Sequence, residues 1–246
     1  MSDAKTGCNR EEMPRVGEMY KDGTYLAKHP SWHTEHSAWK AAQIIKILNM
    51  CHLQPRSICE VGCGAGEILN QLYYQLPETT EFYGYEVSPQ AFALCQERRK
   101  ERLNYYLKDL LEDREAFFDL VLAIDVLEHV EDCYGFLRKL RPKGECKVFH
   151  IPLDICAWSV LRGTHLLSHR QRVGHIHYFT RETALATLLD TGYEIQKWFY
   201  TCGSDAFPDR TLKGMLKRAV RKSLAILSME LSVRVMGGCS LMVLAK

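Results

Sequence analysis

The stretch Ile58-Cys59-Glu60-Val61-Gly62-Cys63-Gly64-Ala65-Gly66 decides the fold of this chain. A short apolar, β-prone run ends at an acid, three glycines follow at alternate positions, and residues 67–72 then have the pattern of a helix. A strand that passes through a glycine turn into a helix brings backbone N–H groups and a helix N-terminus close to a ligand, because no Cβ obstructs the approach. The stretch therefore predicts a ligand-binding turn at the start of a βαβ unit.

A nucleoside-binding unit of this kind should end its second strand on an acid that binds the ribose hydroxyls. The segment 81–86 alternates like a strand and ends on Glu86, twenty residues after Gly66. Ser88 and Pro89 then suit the N-cap and the first position of a helix. A solvated acid at a strand end is the alternative for Glu86 alone, but the matched spacing favours the ribose role.

The pattern acid-x-Gly-x-Gly-x-Gly resembles the first motif of the class I S-adenosylmethionine-dependent methyltransferases. Dinucleotide-binding turns place their third glycine one position later. Residues 118–130, FDLVLAIDVLEHV, are similar to the fourth-strand motif of the same superfamily, especially its ubiquinone-pathway-like branch. The resemblance covers about residues 36–200 and 238–246, and its specific motifs lie within 58–130.

The resemblance implies an α/β fold: a doubly wound, mostly parallel, seven-stranded sheet whose last strand is antiparallel. Continuous Leu, Val and Ile runs, as in 118–124, fit parallel strands that are covered on both faces. The patterns predict strands at 56–61, 81–86, 104–107, 118–124, 145–151, 193–200 and 238–245. They predict helices at 36–52, 67–76, 89–103, 131–140 and 181–191.

The resemblance also implies S-adenosyl-L-methionine as cofactor and S-adenosyl-L-homocysteine as product. Glu60 would hold the amino group of the cofactor, and Gly62 and Gly64 would let the backbone approach its methionine part. Asp109 would accept from the adenine amino group, although a loop acid is often a helix cap or a solvated charge. The complete predicted cofactor set is Glu60, Gly62, Cys63, Gly64, Gly66, Glu86, Val87, Asp109, Leu110, Ile124 and Asp125.

Histidines are the candidate catalytic residues, because an oxygen or nitrogen acceptor benefits from a base of near-neutral pKa. His129 follows a strand end, and His175 and His177 share one face if their segment is extended. Each could act as the base, as a substrate clamp or only as loop structure. His150, late in a strand, could equally be a packed histidine.

A metal is the alternative use of the fourth-strand motif. Asp125, Glu128 and His129 share one face if their turn is helical, and two carboxylates with an imidazole can hold a divalent cation. Hydrogen bonding at the strand–helix junction would explain the same residues. We predict no bound metal.

Composition restricts the class of protein. The chain has 246 residues and a formal net charge of +2, so no strong overall attraction to nucleic acid is expected. Its ten cysteines form no C-x-x-C pair, which favours reduced thiols over a disulfide framework. Residues 1–13 lack the apolar core of a signal peptide, and no run of eighteen apolar residues occurs. We therefore expect a cytoplasmic protein.

Three additions to the sheet should set specificity. Residues 1–35 form an aromatic- and histidine-rich lead-in, either a lid or a segment packed on the edge of domain 36–246. The insertion 153–174 combines apolar side chains with arginines and histidines, which suits a lid helix and a grip on phosphate or carboxylate. Residues 209–229 read as a basic amphipathic helix that either covers a core or lies on an anionic membrane.

The lead-in resembles the lid of methyltransferases encoded with bacterial surface-sugar and cell-envelope pathways. The predicted function is methyl transfer to an oxygen or nitrogen of a small-molecule, lipid-linked or saccharide acceptor, with no nucleic-acid partner. The predicted location is cytoplasmic, with peripheral membrane contact through 209–229. A non-catalytic cofactor-binding module is the first alternative, and a nicotinamide-dependent oxidoreductase is the second.

Overall fold

A computed structural model describes residues 23–32, 34–207 and 211–246. One sheet runs through the molecule in the order β3-β2-β1-β4-β5-β7-β6. Neighbouring strands are parallel except β7, which is antiparallel to both β5 and β6. The strands are β1 (Ser57–Val61), β2 (Glu81–Glu86), β3 (Leu103–Leu107), β4 (Phe118–Ile124), β5 (Gly144–Pro152), β6 (Ile195–Thr201) and β7 (Ser240–Ala245). The predicted fold class is confirmed.

Helices cover both faces of this sheet. The described α-helices are α1 (Thr24–Lys28), α2 (Ser37–Met50), α3 (Glu67–Tyr73), α4 (Pro89–Gln96), α5 (Cys133–Leu140), α6 (Ala157–Leu161), α7 (His165–Val173), α8 (Arg181–Asp190), α9 (Gly203–Ala206), α10 (Leu212–Leu227) and α11 (Met229–Met236). Short 3₁₀ turns lie at Thr34–His36, Leu110–Glu112, Leu127–His129 and Arg141–Lys143. None of the helices in the described part of the chain is both long and apolar enough to cross a bilayer.

The core lies on both sides of the central strands because their side chains alternate between the two faces. In β4, Leu120 and Leu122 belong to the same buried cluster as Ile44 of α2. Val121, between them, belongs to a second cluster with Leu137 of α5 on the opposite face. This double burial explains why β4 reads as a continuous apolar run instead of an alternating one.

The parallel strands bring their carboxyl ends to one edge of the sheet. β1 continues into the glycine turn, β2 ends on Glu86 and β4 ends next to Asp125. In an open parallel sheet this edge is where ligands bind, at the point where the strand order reverses. Here the order reverses between β1 and β4.

Two expectations from the sequence are wrong. The helix expected over 89–103 ends at Gln96, because the chain must turn before it enters β3; Lys100 N donates to Leu103 O across this turn at 3.0 Å. The expectation of reduced thiols fails for Cys202 and Cys239, which form a disulfide. β6 and β7 are antiparallel, with Thr201 opposite Ser240. Cys202, which follows Thr201, therefore lies opposite Cys239, which precedes Ser240. Sequence spacing could not reveal that register.

Candidate active site

The glycine turn after β1 has the conformation that its sequence requires. Gly62, Gly64 and Gly66 have φ values of 64°, 55° and 76°, in the left-handed region that favours glycine. A Cβ on Gly66 would lie 2.5 Å from the ring of Tyr105, whose hydroxyl donates to Gly66 O at 2.7 Å. The turn is therefore held tightly against β3 and admits no side chain at this position.

Glu60, at the end of β1, presents an unpartnered carboxylate oxygen. Its side chain is 2% exposed, and Oε2 has no hydrogen-bond partner. Burial raises the pKa of Glu60 well above its usual value, although the charge of Lys40 opposes the shift. A buried acceptor without a donor is costly, so this oxygen fits a ligand that brings its own N–H groups.

Glu86, at the end of β2, lies across the turn from Glu60. Its carboxylate accepts three backbone N–H groups, from Gly64, Val87 and Ser88, each at 2.8 Å. Burial raises the pKa of Glu86, and these hydrogen bonds oppose the shift. A carboxylate has about four acceptor sites, so Glu86 can still accept from a diol. Both acids thus keep acceptor capacity for hydrogen-bond donors of a ligand.

Two cavities surround the turn. The larger, about 680 Å³, is lined by Glu60, Gly62, Cys63, Gly64, Ile124 and Asp125 of the predicted cofactor set. The smaller, about 330 Å³, is lined by Val87, Asp109 and Leu110, and Gly62 lines both cavities. Asp109 also caps the next turn, since its Oδ1 accepts from Leu111 N at 2.9 Å. Gly66 and Glu86, the other members of the predicted set, line neither cavity, although Glu86 is hydrogen-bonded to the turn at Gly64 N.

Asp125 is used differently from the metal interpretation. It has a left-handed φ of 54°, so the chain from Asp125 to His129 is not one continuous helical turn. Its carboxylate binds Lys40 Nζ at 2.6 Å and His150 Nδ1 at 2.5 Å. Burial raises the pKa of Asp125, but the charges of His150 and Lys40 outweigh it and hold the pKa below its usual range. The structure does not bring Asp125 together with Glu128 and His129 as a set of metal ligands.

A different group of side chains lies together on the floor of the large cavity. Glu128 Oε1 is 3.8 Å from His129 Nε2 and 4.0 Å from His175 Nε2. The potential ligand atoms of these three residues lie within 4.8 Å of one another, as do those of Asp154, His169 and His175. Either group could hold a divalent cation. The absence of a metal stays a prediction.

His175 is oriented by a carboxylate. Its Nδ1 lies 2.6 Å from Asp154 Oδ2, and His169 Nδ1 lies 3.2 Å from the other oxygen of Asp154. Burial raises the pKa of Asp154, but hydrogen bonds from His169 and His175 outweigh it and lower the pKa. Asp154 therefore fixes the orientation of the His175 ring, whose Nε2 points away from this carboxylate.

His129 and His177 have other partners. His129 Nδ1 donates to Gly174 O at 3.1 Å, and burial together with the nearby His175 lowers the pKa of His129 to about 4. His177 Nε2 donates to Val130 O at 2.8 Å. His129 and His175 line the large cavity, and His177 is not among its lining residues. His175 and His177 therefore do not contribute to one site, although the sequence predicts that they share a face.

Sequence reasoning missed two of these residues, Asp154 and Lys40, and it placed His169 only within the basic part of the insertion. Asp154 lies two residues after the end of β5, so the rule that acids at strand ends face the ligand could have found it. Lys40 lies on helix α2 and carries no local signal that it reaches the cavity. Its position depends on how that helix packs against the sheet edge.

The lead-in reaches the glycine turn. Trp32 lies so close to Gly64 that a Cβ there would be 2.7 Å from the indole. Tyr25 is buried beneath it, with the two ring centroids 4.8 Å apart. Both residues line the large cavity. Residues 1–22 of the predicted lid lie outside the described residues.

Part of the lining of the large cavity is basic. The insertion 153–174 folds into α6 and α7 and contributes Trp158, Arg162, His165 and Arg172 to the cavity lining. Helix α10 adds Lys217 and Arg221. The cavity lining thus combines carboxylates with cationic side chains of the insertion and of α10.

Comparisons with known proteins agree with this geometry. Residues 59–143 match the family model described as "Methyltransferase domain". None of the curated proteins matches the chain at a significant level. The matched range 59–143 includes the glycine turn, β2 and its terminal acid, and the fourth-strand motif.

Solved structures share the fold. Magnesium protoporphyrin IX methyltransferase from Synechocystis PCC 6803, with bound SAH, superposes with a TM-score of 0.57 at 16% identity, covering 85% of this chain and 82% of that one. The plantazolicin methyltransferase in complex with SAH gives 0.57 at 14% identity, covering 94% and 93%. The cyclopropane synthase MmaA2 from Mycobacterium tuberculosis gives 0.61 at 15% identity, covering 96% and 100%.

The family match and the fold point to the same part of the molecule. The strand order reverses at the glycine turn, and Glu60 and Glu86 end the two strands beside it. Residues 59–143 thus match a methyltransferase domain, and the chain shares the Rossmann-like fold of the solved methyltransferases.

Proposed function

We propose that this protein transfers the methyl group of S-adenosyl-L-methionine to an oxygen or nitrogen of a small-molecule or lipid-linked saccharide acceptor. One observation carries the proposal: a single cavity of about 680 Å³ contains both the cofactor turn and the Asp154–His175 pair. A base therefore lies in the same space as the residues that would hold the methyl donor.

The bound cofactor would supply a methyl group already activated on a sulfonium, so the protein must position the acceptor, exclude water and receive a proton. Glu60, Gly62 and Gly64 would hold the methionine part, and Glu86 the ribose. Trp32 lies against the turn at Gly64, with Tyr25 packed on its ring, and would exclude water from the turn. His175 Nε2 would take the proton of the acceptor, because Asp154 fixes the ring and stabilises its cationic form.

An acceptor with a phosphate or carboxylate fits the basic part of the cavity lining best. Arg162, Arg172 and Lys217 line the cavity and would bind such a group through charge-assisted hydrogen bonds. The formal net charge of +2 on the whole chain gives little reason to expect nucleic acid. We propose a cytoplasmic reaction, since seven of the described cysteines are free thiols and a single pair, Cys202 and Cys239, forms a disulfide among the described residues.

The test is methyl transfer from tritium-labelled S-adenosylmethionine to separated acceptor pools: envelope lipids with their linked saccharides, soluble metabolites, and bulk RNA and DNA. We expect label in the first two pools, and greater transfer to nucleic acid would reject the acceptor class. Binding of the cofactor without transfer to any pool would favour a cofactor-binding module. Calorimetric binding of NADH in place of S-adenosylmethionine would favour an oxidoreductase.

The role of His175 is tested separately in the labelled pool. His175→Gln and Asp154→Asn should lower kcat by about 10²-fold or more, the usual contribution of a general base, and leave cofactor affinity intact. His52→Gln changes an exposed histidine outside the cavity and serves as the control. Equal kcat in all three variants would assign the base elsewhere.

A further inference from the structure

Helix α10 presents its apolar side to solvent. No residue of this 16-residue helix is buried. Its apolar side chains recur at helical spacing and form one stripe: Leu212, Met215, Leu216, Ala219, Val220, Ile226 and Leu227. All seven are exposed, and Leu212 and Ile226 reach 85%. A helix that covers a core buries this stripe, so α10 is oriented the opposite way.

The cationic side of α10 faces inward. Lys217 and Arg221 line the large cavity and, with Arg218, are only half-exposed. Lys213 and Lys222 are exposed and flank the apolar stripe on its two borders. The helix contains no Asp or Glu. Its charge is therefore uniformly positive.

Helix α6 has exposed apolar side chains of its own. Lys217 Nζ, on the inward side of α10, lies 5.9 Å from the centroid of the Trp158 ring of α6. On α6, Val160 and Leu161 are also exposed, Leu161 to 83%. An apolar patch of this kind on a methyltransferase domain needs a partner that covers it.

We propose that α10 docks on the surface of an anionic lipid bilayer. The apolar stripe would enter the boundary between headgroups and acyl chains, while Lys213 and Lys222 reach the headgroup phosphates from its borders. A second copy of the chain fits this surface poorly, because two helices with five cations and no acid would repel each other. The proposal is independent of which acceptor is methylated.

Docking in this orientation has a consequence for the cavity. Lys217 and Arg221 belong both to α10 and to the cavity lining, so the basic part of the lining would lie next to the membrane surface. An acceptor with a phosphate and a lipid tail could then enter the cavity without leaving the bilayer. Membrane attachment would thus give the cavity access to a lipid-linked acceptor as well as hold the protein at the bilayer.

The experiment is vesicle co-sedimentation of the full chain with phosphatidylcholine alone and with added phosphatidylglycerol. Two double variants separate the two contributions: Leu216→Gln with Ile226→Gln removes part of the stripe, and Lys213→Gln with Lys222→Gln removes the flanking charges. Neither pair lines the cavity. The matched control, Arg114→Gln with Lys197→Gln, removes two exposed cations elsewhere.

We expect the wild type to bind phosphatidylglycerol vesicles at low salt and to lose binding as salt rises. The flanking-charge variant should bind about thirtyfold more weakly, since each cation near an anionic surface contributes about a factor of five to six. The stripe variant should lose binding to a similar extent, and the control should bind as the wild type does. Calorimetric affinity for S-adenosylmethionine should stay unchanged in all variants, which shows that they are folded.

Three results would overturn the proposal. The wild type could ignore phosphatidylglycerol vesicles at low salt. The stripe variant could bind as tightly as the control. Sedimentation could show a wild-type dimer that Leu216→Gln with Ile226→Gln converts to a monomer, in which case the stripe is an interface between copies of the chain.

Discussion

Lys40 Nζ lies 2.6 Å from Asp125 Oδ2, and this ion pair ties helix α2 to the end of β4 beside the glycine turn. The other oxygen of Asp125 binds His150 Nδ1, and His150 Nε2 lies 2.7 Å from Thr201 Oγ1. A hydrogen-bonded chain therefore crosses from α2 to β6 under the cavity. It holds Asp125 in its left-handed conformation at the point where the cofactor and the acceptor would meet.

Lys40→Met should destabilise the protein by about 3 kcal/mol, because it leaves a largely buried carboxylate without its cationic partner. The folded-state pKa of Asp125 is lowered, so its contribution to stability is present above about pH 3.9 and is lost as the pH falls below that value. Urea unfolding at neutral pH and at pH 3 measures both effects. The exposed Lys197→Met is the control, and equal losses in the two variants at neutral pH would contradict the role of the ion pair.

Glu60→Gln should weaken S-adenosylmethionine binding. Without the cofactor, the variant should become more stable than the wild type as the pH rises. The folded-state pKa of Glu60 is raised, so its ionisation costs stability above about pH 4.3, the usual value for a glutamate. Glutamine does not ionise and escapes that cost. Unfolding free energies at several pH values, together with calorimetry, test both parts, and a variant that loses stability relative to wild type as pH rises would refute the buried charge.

Glu86→Ala should reduce cofactor affinity by about 1–3 kcal/mol, because the ribose hydroxyls lose a buried acceptor. The loss of three backbone hydrogen bonds should also lower stability. Glu81→Ala, at the exposed start of the same strand, is the control for affinity. Unchanged calorimetric affinity in folded Glu86→Ala protein would falsify the ribose assignment.

Gly64→Ala and Gly163→Ala form a matched pair. Both glycines have positive φ, so alanine costs about 1–2 kcal/mol at either position. Only at Gly64 would the new Cβ meet a neighbour, the indole of Trp32, whereas nothing lies within 4 Å at Gly163. The midpoint temperature of unfolding should therefore fall further for Gly64→Ala than for Gly163→Ala. Cofactor affinity should fall only for Gly64→Ala. Similar behaviour of the two variants would mean that Trp32 does not close over the turn.

His129→Gln should make the free energy of unfolding depend less steeply on pH at acidic pH. Its folded-state pKa of about 4 lies below the usual 6.5, so the unfolded chain binds the extra proton between these values and stability falls as the pH drops through that window. The slope is about 1.4 kcal/mol per pH unit for one proton. Glu128 has a raised pKa and acts in the opposite direction, so the comparison is between wild type and variant at each pH. Parallel profiles would contradict a neutral, buried His129.

Most of the cofactor site could be predicted because its signals are local. Glycines at alternate positions and an acid at each strand end specify a turn whatever packs around it, and parallel strands necessarily bring their carboxyl ends together. The predictions for Glu60, Gly62 and Glu86 rest on such signals. The contacts of Lys40 with Asp125 and of His169 with Asp154 depend on helix packing and on the insertion, and no periodicity records those distances.

The sequence by itself determined the order of strands and helices, the glycine turn and the existence of an apolar stripe on α10. Tertiary structure alone decided that His175 meets Asp154, that Cys202 pairs with Cys239 and that the stripe faces solvent. The physical reason is the same in each case. A hydrophobic pattern fixes which residues share a side of an element, but which side faces the protein depends on the residues that the rest of the chain brings against it.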